Sequence, residues 1–207
     1  MTTSARVLLV RHGQSTWNAE GRWQGWADPP LTELGEQQAR DAVEHLRDAG
    51  ITHVVASDLQ RARRTGELIA EGLGIGASSV EVDPDLRERD VGAFSGRTTE
   101  ENHAAHPEAF DGTRILYAPG GETAEQVLAR VIPALLRIAH RHPGDTVLVA
   151  THSGVIRNLE RHLGSPPVGN MPNLGGRWLD VCEGGRMDLG DPLLPIEPEL
   201  TTRPDAE

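Results

Sequence analysis

The chain contains no lysine; all 20 of its basic residues are arginine. Schiff-base chemistry is excluded, and any anion must be held by arginine, histidine or backbone N–H groups. A single cysteine, Cys182, excludes an internal disulfide and fits a reducing cytoplasm. Its thiol reads as a small hydrophobe. No apolar run approaches the roughly 20 residues that a membrane helix requires. The polar stretch Met1 to Ala5 runs straight into apolar residues, a pattern unlike a signal peptide, so a cytoplasmic protein is expected. A basic excess is also missing: acids outnumber bases 31 to 20, for a net charge of −11. Nucleic acid and anionic membranes are therefore not expected partners, since both require a basic face. Aromatics make up 3% of the chain. Trp23, Trp26, Phe94, Phe110 and Tyr117 can serve either as an apolar wall for an organic ligand or as core.

What is present is an alternation of strand and helix signals over a length of 207 residues, which suits a single domain. Val7 to Val10 is a short continuous apolar run, as in a strand buried on both faces. A helix is expected from Glu33 to Ala49, with Ala39, Ala42, Val43 and Leu46 as its apolar stripe and Gly50 as its stop. His53 to Ala56 reads as a second strand. Ser57 and Gln60 have capping-box spacing before a helix running to Leu73. Val80 to Val82 reads as a third strand. Arg87 to Tyr117 is an irregular insertion with a weak helix at Thr99 to Ala105. Thr123 and Gln126 again have capping-box spacing, opening a helix to His142 that Pro133 is expected to kink. Thr146 to Ala150 is a strand, followed by a helix from Gly154 to Leu163. Arg177 to Glu183 and Arg186 to Leu189 suggest a hairpin through Gly184-Gly185. The Gly- and Pro-rich stretch Gly164 to Gly176 leaves open a lid, a homodimer contact or an idle loop. The tail from Pro195 is Pro- and acid-rich and reads as disordered, leaving 1–195 as the expected domain.

This order argues for an α/β fold: a three-layer sandwich with a mostly parallel central sheet and helices on both faces. In such sheets ligands bind beyond the carboxyl ends of the strands. Arg11 and His12 directly follow the first strand, Arg61 lies early in the helix after the second, and His152 follows the strand ending at Ala150. All four should reach one edge. An imidazole attacks phosphorus through one ring nitrogen when the other is held as a donor. Guanidinium forks match phosphoryl oxygens bidentately, and phosphoryl transfer depends mainly on positioning and electrostatics. A carboxylic acid can protonate the leaving oxygen and, as carboxylate, deprotonate the attacking water.

Several blocks then resemble the histidine phosphatase superfamily, the phosphoglycerate mutase-like proteins. Leu9-Val10-Arg11-His12-Gly13-Gln14-Ser15-Thr16-Trp17-Asn18 carries the R-H-G signature. Gly25-Trp26-Ala27-Asp28, Leu31-Thr32-Glu33-Leu34-Gly35 and Ser57-Asp58-Leu59-Gln60-Arg61-Ala62 with Thr65 continue it. Leu86-Arg87-Glu88 with Gly92 and Gly96, then Pro119-Gly120-Gly121-Glu122-Thr123 and Thr151-His152-Ser153-Gly154, complete it. The resemblance spans Val7 to Leu163 and implies a phosphoglycerate mutase-like fold with neither metal nor cofactor. By it, His12 is the phosphohistidine nucleophile and His152 hydrogen-bonds the transferred group. Arg11 and Arg61 clamp its oxygens, Asn18 adds a contact, and Glu88 is the proton donor and later the base. Gln24, Gly25 and Ser153 match positions that touch phosphate or the rest of the substrate. Each residue alone also has an ordinary reading: Arg11-His12 as a turn, Arg61 as a solvated helix residue, Glu88 as a surface ion pair with Arg87 or Arg89, His152 as a helix cap. Arg63 and Arg64 read as solvated. His45, His53, His103, His106, His140, His142 and His162 read as surface or packing residues.

Within the resemblance, mutases carry E-R-H-Y-G followed by a Lys and paired Arg residues. Here the match is Glu88-Arg89-Asp90-Val91-Gly92, with no Lys anywhere and no Arg pair between it and Pro119. A phosphatase for a small phosphorylated metabolite, a sugar phosphate or phosphoglycerate derivative, is the expected activity. A mutase-type phosphotransferase, a non-catalytic phospho-ligand module and a metal-dependent hydrolase are the alternatives. The net charge repels such substrates at long range, so a tight positive focus inside an acidic surface is expected.

Overall fold

The computed structural model describes residues 3–112, 114–166 and 171–193. The tail expected to be disordered, and part of the segment 164–176, lie outside these. In chain order the elements are β1 (Thr3–Arg11), α1 (Thr16–Glu20), α2 (Glu33–Leu46), β2 (Ile51–Ala56), α3 (Gln60–Gly72), β3 (Glu81–Val82) and α4 (Thr99–Ala105). Then follow β4 (Phe110–Asp111), β5 (Arg114–Ile115), α5 (Ala124–Arg141), β6 (Thr146–Thr151), α6 (Ser153–His162), β7 (Gly176–Cys182) and β8 (Met187–Leu193).

The central sheet has the order β3-β2-β6-β1-β7-β8. β3, β2, β6 and β1 run parallel, and β7 and β8 are added antiparallel. Side chains alternate between the faces of a strand, and the two faces carry separate cores. Val7, Leu9, Val147 and Val149 pack with Val131, Leu135 and Ile138 of α5 and with Val155, Ile156 and Leu159 of α6. Leu8, Val10, Val54, Leu148 and Ala150 pack on the other side with Leu46 of α2 and with Ile69 and Ala70 of α3. The result is the three-layer α/β sandwich read from the strand–helix alternation. Among the described residues no helix is long and apolar enough to cross a membrane.

Local signals set the helix ends with two exceptions. Thr123 and Gln126 form their capping box, with the Thr123 side chain accepting from the Gln126 N–H and the Gln126 side chain accepting from the Thr123 N–H at 2.8 Å. Pro133 sits on the exposed side of α5 and the helix continues past it, because solvent can satisfy the carbonyl one turn earlier. α2 stops as an α-helix at Leu46, and Arg47–Ala49 tighten into a 3-10 turn before Gly50. The Ser57–Gln60 capping box does not form. α3 is entered through Leu59 with no side-chain cap from within the motif. Asp28, from a distant loop, accepts from the Gln60 N–H at 2.7 Å instead.

The irregular segment has its own small core of Val91, Phe94, Ala109 and Ala118, joined by Trp23, Phe110 and Ile115. Phe94 and Phe110 stack with ring centroids 5.5 Å apart. Three of the aromatics are thus core, whereas Trp26 and Tyr117 are exposed. Truncating a fully buried central-strand residue should cost transfer and cavity terms together. Leu148→Ala is expected to destabilise the fold by roughly 2–5 kcal/mol in urea unfolding.

Candidate active site

The site follows from strand register. β1 and β6 are parallel neighbours paired Arg11↔Thr151, and the His12 N–H donates to the Thr151 carbonyl at 3.0 Å. His12 and His152 therefore leave adjacent strands at the same level, with ring centroids 5.2 Å apart at 65°. On the other flank of β6, Ala56 pairs with Ala150, and Ser57 leaves β2 at the same edge. α3 follows at once, so its first turn carries Arg61 into the same space, fully buried.

The tautomer of His12 follows from its contacts. Nδ1 lies 2.7 Å from the Gly13 carbonyl oxygen, which can only accept, so Nδ1 carries the hydrogen and Nε2 presents its lone pair. Arg61 Nε donates to that Nε2 at 3.3 Å. The rest of the Arg61 fork is anchored by the carbonyls of Ala27 at 2.8 Å and Gly25 at 2.9 Å. Arg11 is buried and donates to the Met171 carbonyl. Asn173 holds the His12 carbonyl at 2.9 Å.

His152 is fully buried, with Nε2 at 3.0 Å from Ser57 Oγ. The Ser57 oxygen also accepts from the Leu59 N–H. Nδ1 of His152 is buried and has no hydrogen-bond partner among the described residues. Buried polar atoms normally find one, so this nitrogen is suited to a ligand.

Burial pushes the His12 imidazole well below its ordinary pKa, and the charges of Arg61 and Arg11 push it further, against a smaller opposite pull from the Gly13 carbonyl. His152 is lowered in the same way, first by burial and then by Arg61 and His12. Arg61 falls to about 10 through burial, partly offset by Glu88 and Asp28, so it remains a cation at neutral pH. The edge thus combines neutral imidazoles with buried positive charge, the positive focus expected within an acidic molecule.

Glu88 approaches from the segment after β3. Its Oε2 accepts from the Gly154 N–H at 3.2 Å and its Oε1 from the Arg89 N–H at 2.8 Å. The carboxylate is held by backbone amides at the start of α6, not by a surface ion pair; Arg87 pairs with Asp58 instead. A Cβ at residue 154 would lie 2.2 Å from Glu88 Oε1, so only glycine lets the acid come this close. Ser153, beside it, is buried in the first turn of α6.

The remaining sequence-predicted residues line up behind Ser15. Asn18 Oδ1 accepts from the Ser15 N–H at 3.3 Å, and Gln24 Oε1 accepts from the Ser15 hydroxyl at 2.7 Å. Both amide oxygens are engaged, which directs the NH2 groups to other acceptors. Gly25 is buried and serves through its carbonyl on Arg61.

Thr65, Gly35 and Arg130 contribute without a role assigned to them in the sequence reading. Thr65 Oγ accepts from the Gly13 N–H at 3.0 Å and donates to the Arg61 carbonyl at 2.7 Å. Gly13 also abuts Gly35 so closely that a Cβ on Gly13 would meet the Gly35 oxygen at 2.3 Å. Arg130 donates to the carbonyls of Asp85, Arg87 and Glu88 at 2.8, 2.7 and 2.9 Å while paired with Glu122 at 2.8 Å. It pins the loop that carries the acid. A signal for it existed: Arg130 falls on the apolar stripe of Val127, Val131 and Ala134.

With this geometry in place, comparison with known proteins defines the class. Residues 7–183 match the histidine phosphatase superfamily (branch 1). The chain belongs to that superfamily. It is 39% identical over 161 residues to phosphoglycerate mutase-like protein 4 of Arabidopsis thaliana, covering 75% of this chain and 69% of that one. Among solved structures, a mycobacterial glucosyl-3-phosphoglycerate phosphatase in complex with VO3 is 30% identical with a TM-score of 0.77, covering 90% of this chain and 97% of that one. YhfR of Bacillus stearothermophilus is 30% identical with a TM-score of 0.79, covering 90% and 96%.

The lowered imidazoles carry a stability consequence. Both stay neutral in the folded chain, whereas in the unfolded chain they take up protons near pH 6.5. Below that point the unfolded state binds more protons, so stability is complete above about pH 6.5 and is lost as pH falls. Urea midpoints should drop below about pH 6.5, and the drop should be shallower in a His12→Asn/His152→Asn variant.

Proposed function

We propose that this chain is a phosphomonoester hydrolase that works through a phosphohistidine on His12, without a metal, on a small phosphorylated metabolite. The observation that carries this reading is the His12 imidazole: neutral, tautomer-fixed through Gly13, in contact with the Arg61 guanidinium, and 5.2 Å from a second imidazole. Nε2 of His12 attacks phosphorus and the P–O ester bond breaks, the leaving oxygen taking its proton from Glu88. Arg11, Arg61 and the His152 imidazole stabilise the phosphoryl oxygens, with the amides of Asn18 and Gln24 and the Ser153 position completing the cradle. Water then attacks the phosphohistidine while Glu88 takes its proton, the P–N bond breaks, and phosphate leaves.

Hydrolysis is favoured over mutase action because the chain has no Lys and, between Glu88 and Pro119, no Arg pair of the kind on which a mutase would retain a bisphosphate. A phosphorylated acid is favoured over a neutral sugar phosphate by a second cluster of charge. Arg89 is depressed by burial first, partly restored by Glu88, and depressed again by Arg157 and Arg161. Gly154 holds Glu88, and Arg157 and Arg161 lie on the next turns of α6 from it. Like charges gathered beside the acid suit a second anionic group on the substrate. The phosphatase named among the similar structures acts on glucosyl-3-phosphoglycerate, a compound of that kind.

Hydrolysis of an aryl phosphate should persist in EDTA and vanish in His12→Ala. Rapidly quenched wild type should carry acid-labile, base-stable phosphate that His12→Ala lacks. Phosphate binding without turnover would support a non-catalytic module instead, and interconversion of phosphoglycerates faster than their hydrolysis a mutase. In Arg89→Ala and Arg157→Ala, KM for phosphoglycerates should rise about tenfold, the loss of one charge-assisted contact. KM for the aryl phosphate should change little.

A further inference from the structure

The sheet edge opposite the candidate active site holds a second convergence of chemically capable side chains. His53 stands near the start of β2, His142 ends α5, and Asp145 lies in the turn that enters β6. One potential ligand atom from each lies within 4.8 Å of the other two. The His53 and His142 rings are 4.1 Å apart between centroids, and His53 Nδ1 is 3.5 Å from an Asp145 carboxylate oxygen. Glu81 of β3 adds a second carboxylate, at 2.9 Å from His142 Nε2. We propose that His53, His142 and Asp145 bind a divalent cation of the zinc type.

The donor set decides the class of ion. Two imidazoles and a carboxylate suit zinc, copper or nickel, whereas magnesium and calcium demand oxygen ligands. Zn–N and Zn–O bonds of about 2.0–2.2 Å place tetrahedral ligand atoms roughly 3.4 Å apart. From a spacing of at most 4.8 Å, small side-chain rotations reach that geometry. The side chains of His53 and Asp145 are 40% and 39% exposed while His142 is 11% exposed, which gives an ion both an entry path and a firm ligand. Glu81 beside His142 is placed as the carboxylate that commonly orients a metal-bound imidazole. The surroundings favour a cation: Asp145 and Glu81 bring two negative charges, and Arg141, paired with Glu81 at 3.2 Å, brings one positive.

The location decides the role. β6 runs from Thr146, next to Asp145, to Thr151, next to His152, so roughly 20 Å of strand separates the cluster from the phosphoryl site. The ion would not touch the reacting groups. It would cross-link β2, the end of α5 and the entry to β6, and so stabilise the native chain by mass action.

Isothermal titration of the full chain with Zn2+ should give one equivalent bound, with Mg2+ giving none. Saturating Zn2+ should raise the thermal midpoint by several degrees, and EDTA should reverse the shift. His53→Gln and Asp145→Asn change partly exposed side chains and should melt like wild type in EDTA, yet bind Zn2+ at least about tenfold more weakly. Unchanged Zn2+ affinity in both variants, or no thermal shift with Zn2+ in wild type, would overturn the proposal. Aryl phosphate hydrolysis below the melting range should be equal in both variants and wild type, with and without Zn2+, so the titration fails or succeeds independently of the phosphatase reading.

Discussion

The pairing of β1 with β6 is the constraint on which the rest depends. Parallel strands in register end at the same height, so residues that follow Arg11 and Thr151 must be neighbours. A slip of one residue would turn every side chain of a strand to the opposite face. Here it would bury the wrong set against both helical layers, and the two cores of Leu8 with Val10 and of Val7 with Leu9 hold the register in place. The spacing of the two imidazoles is thus set by apolar packing along the whole strand, not by the site itself.

Around that pair the chain arranges charge against its own average. A molecule of net charge −11 buries the Arg61 guanidinium completely, a costly placement unless the donors are satisfied. Carbonyls of the 25–27 loop and Nε2 of His12 accept from three of its five N–H donors. The fork is thereby held before any ligand arrives, which lowers the entropy cost of meeting an anion. Glu88 is treated likewise: amides hold its oxygens and Arg130 with Trp26 holds its carbonyl. Membership in the histidine phosphatase superfamily is consistent with a site in which geometry and electrostatics carry the chemistry.

Much of the fold could be read from local pattern. Continuous apolar runs marked β1 and β6, capping residues marked α5, and the rule that ligands gather beyond strand ends pointed to one edge for Arg11, His12, Arg61 and His152. Failures arose where a distant partner outbid a near one. Ser57 has the spacing of a cap, yet its hydroxyl faces a buried imidazole 95 positions away, and an unpartnered ring nitrogen there would cost more than an uncapped turn. Asp28 then supplies the cap from 32 positions away. Neither choice is visible within a window of a few residues. α1 was missed because five residues are too few to show a helical period. His53 and His142 were read as unremarkable because only the fold brings them together.

The Gly13–Gly35 contact has a mechanical meaning. With backbone touching backbone, the loop after His12 and the start of α2 have no compressible side chain between them. They must move, if at all, as one piece, which makes this wall an anvil. Residues 22 to 26 are tied to residues 91 to 99 in another way, by hydrogen bonds between Trp23 and Arg97 and between Ser95 and Gln24. Any give at this edge of the sheet has to come from contacts that are not backbone on backbone.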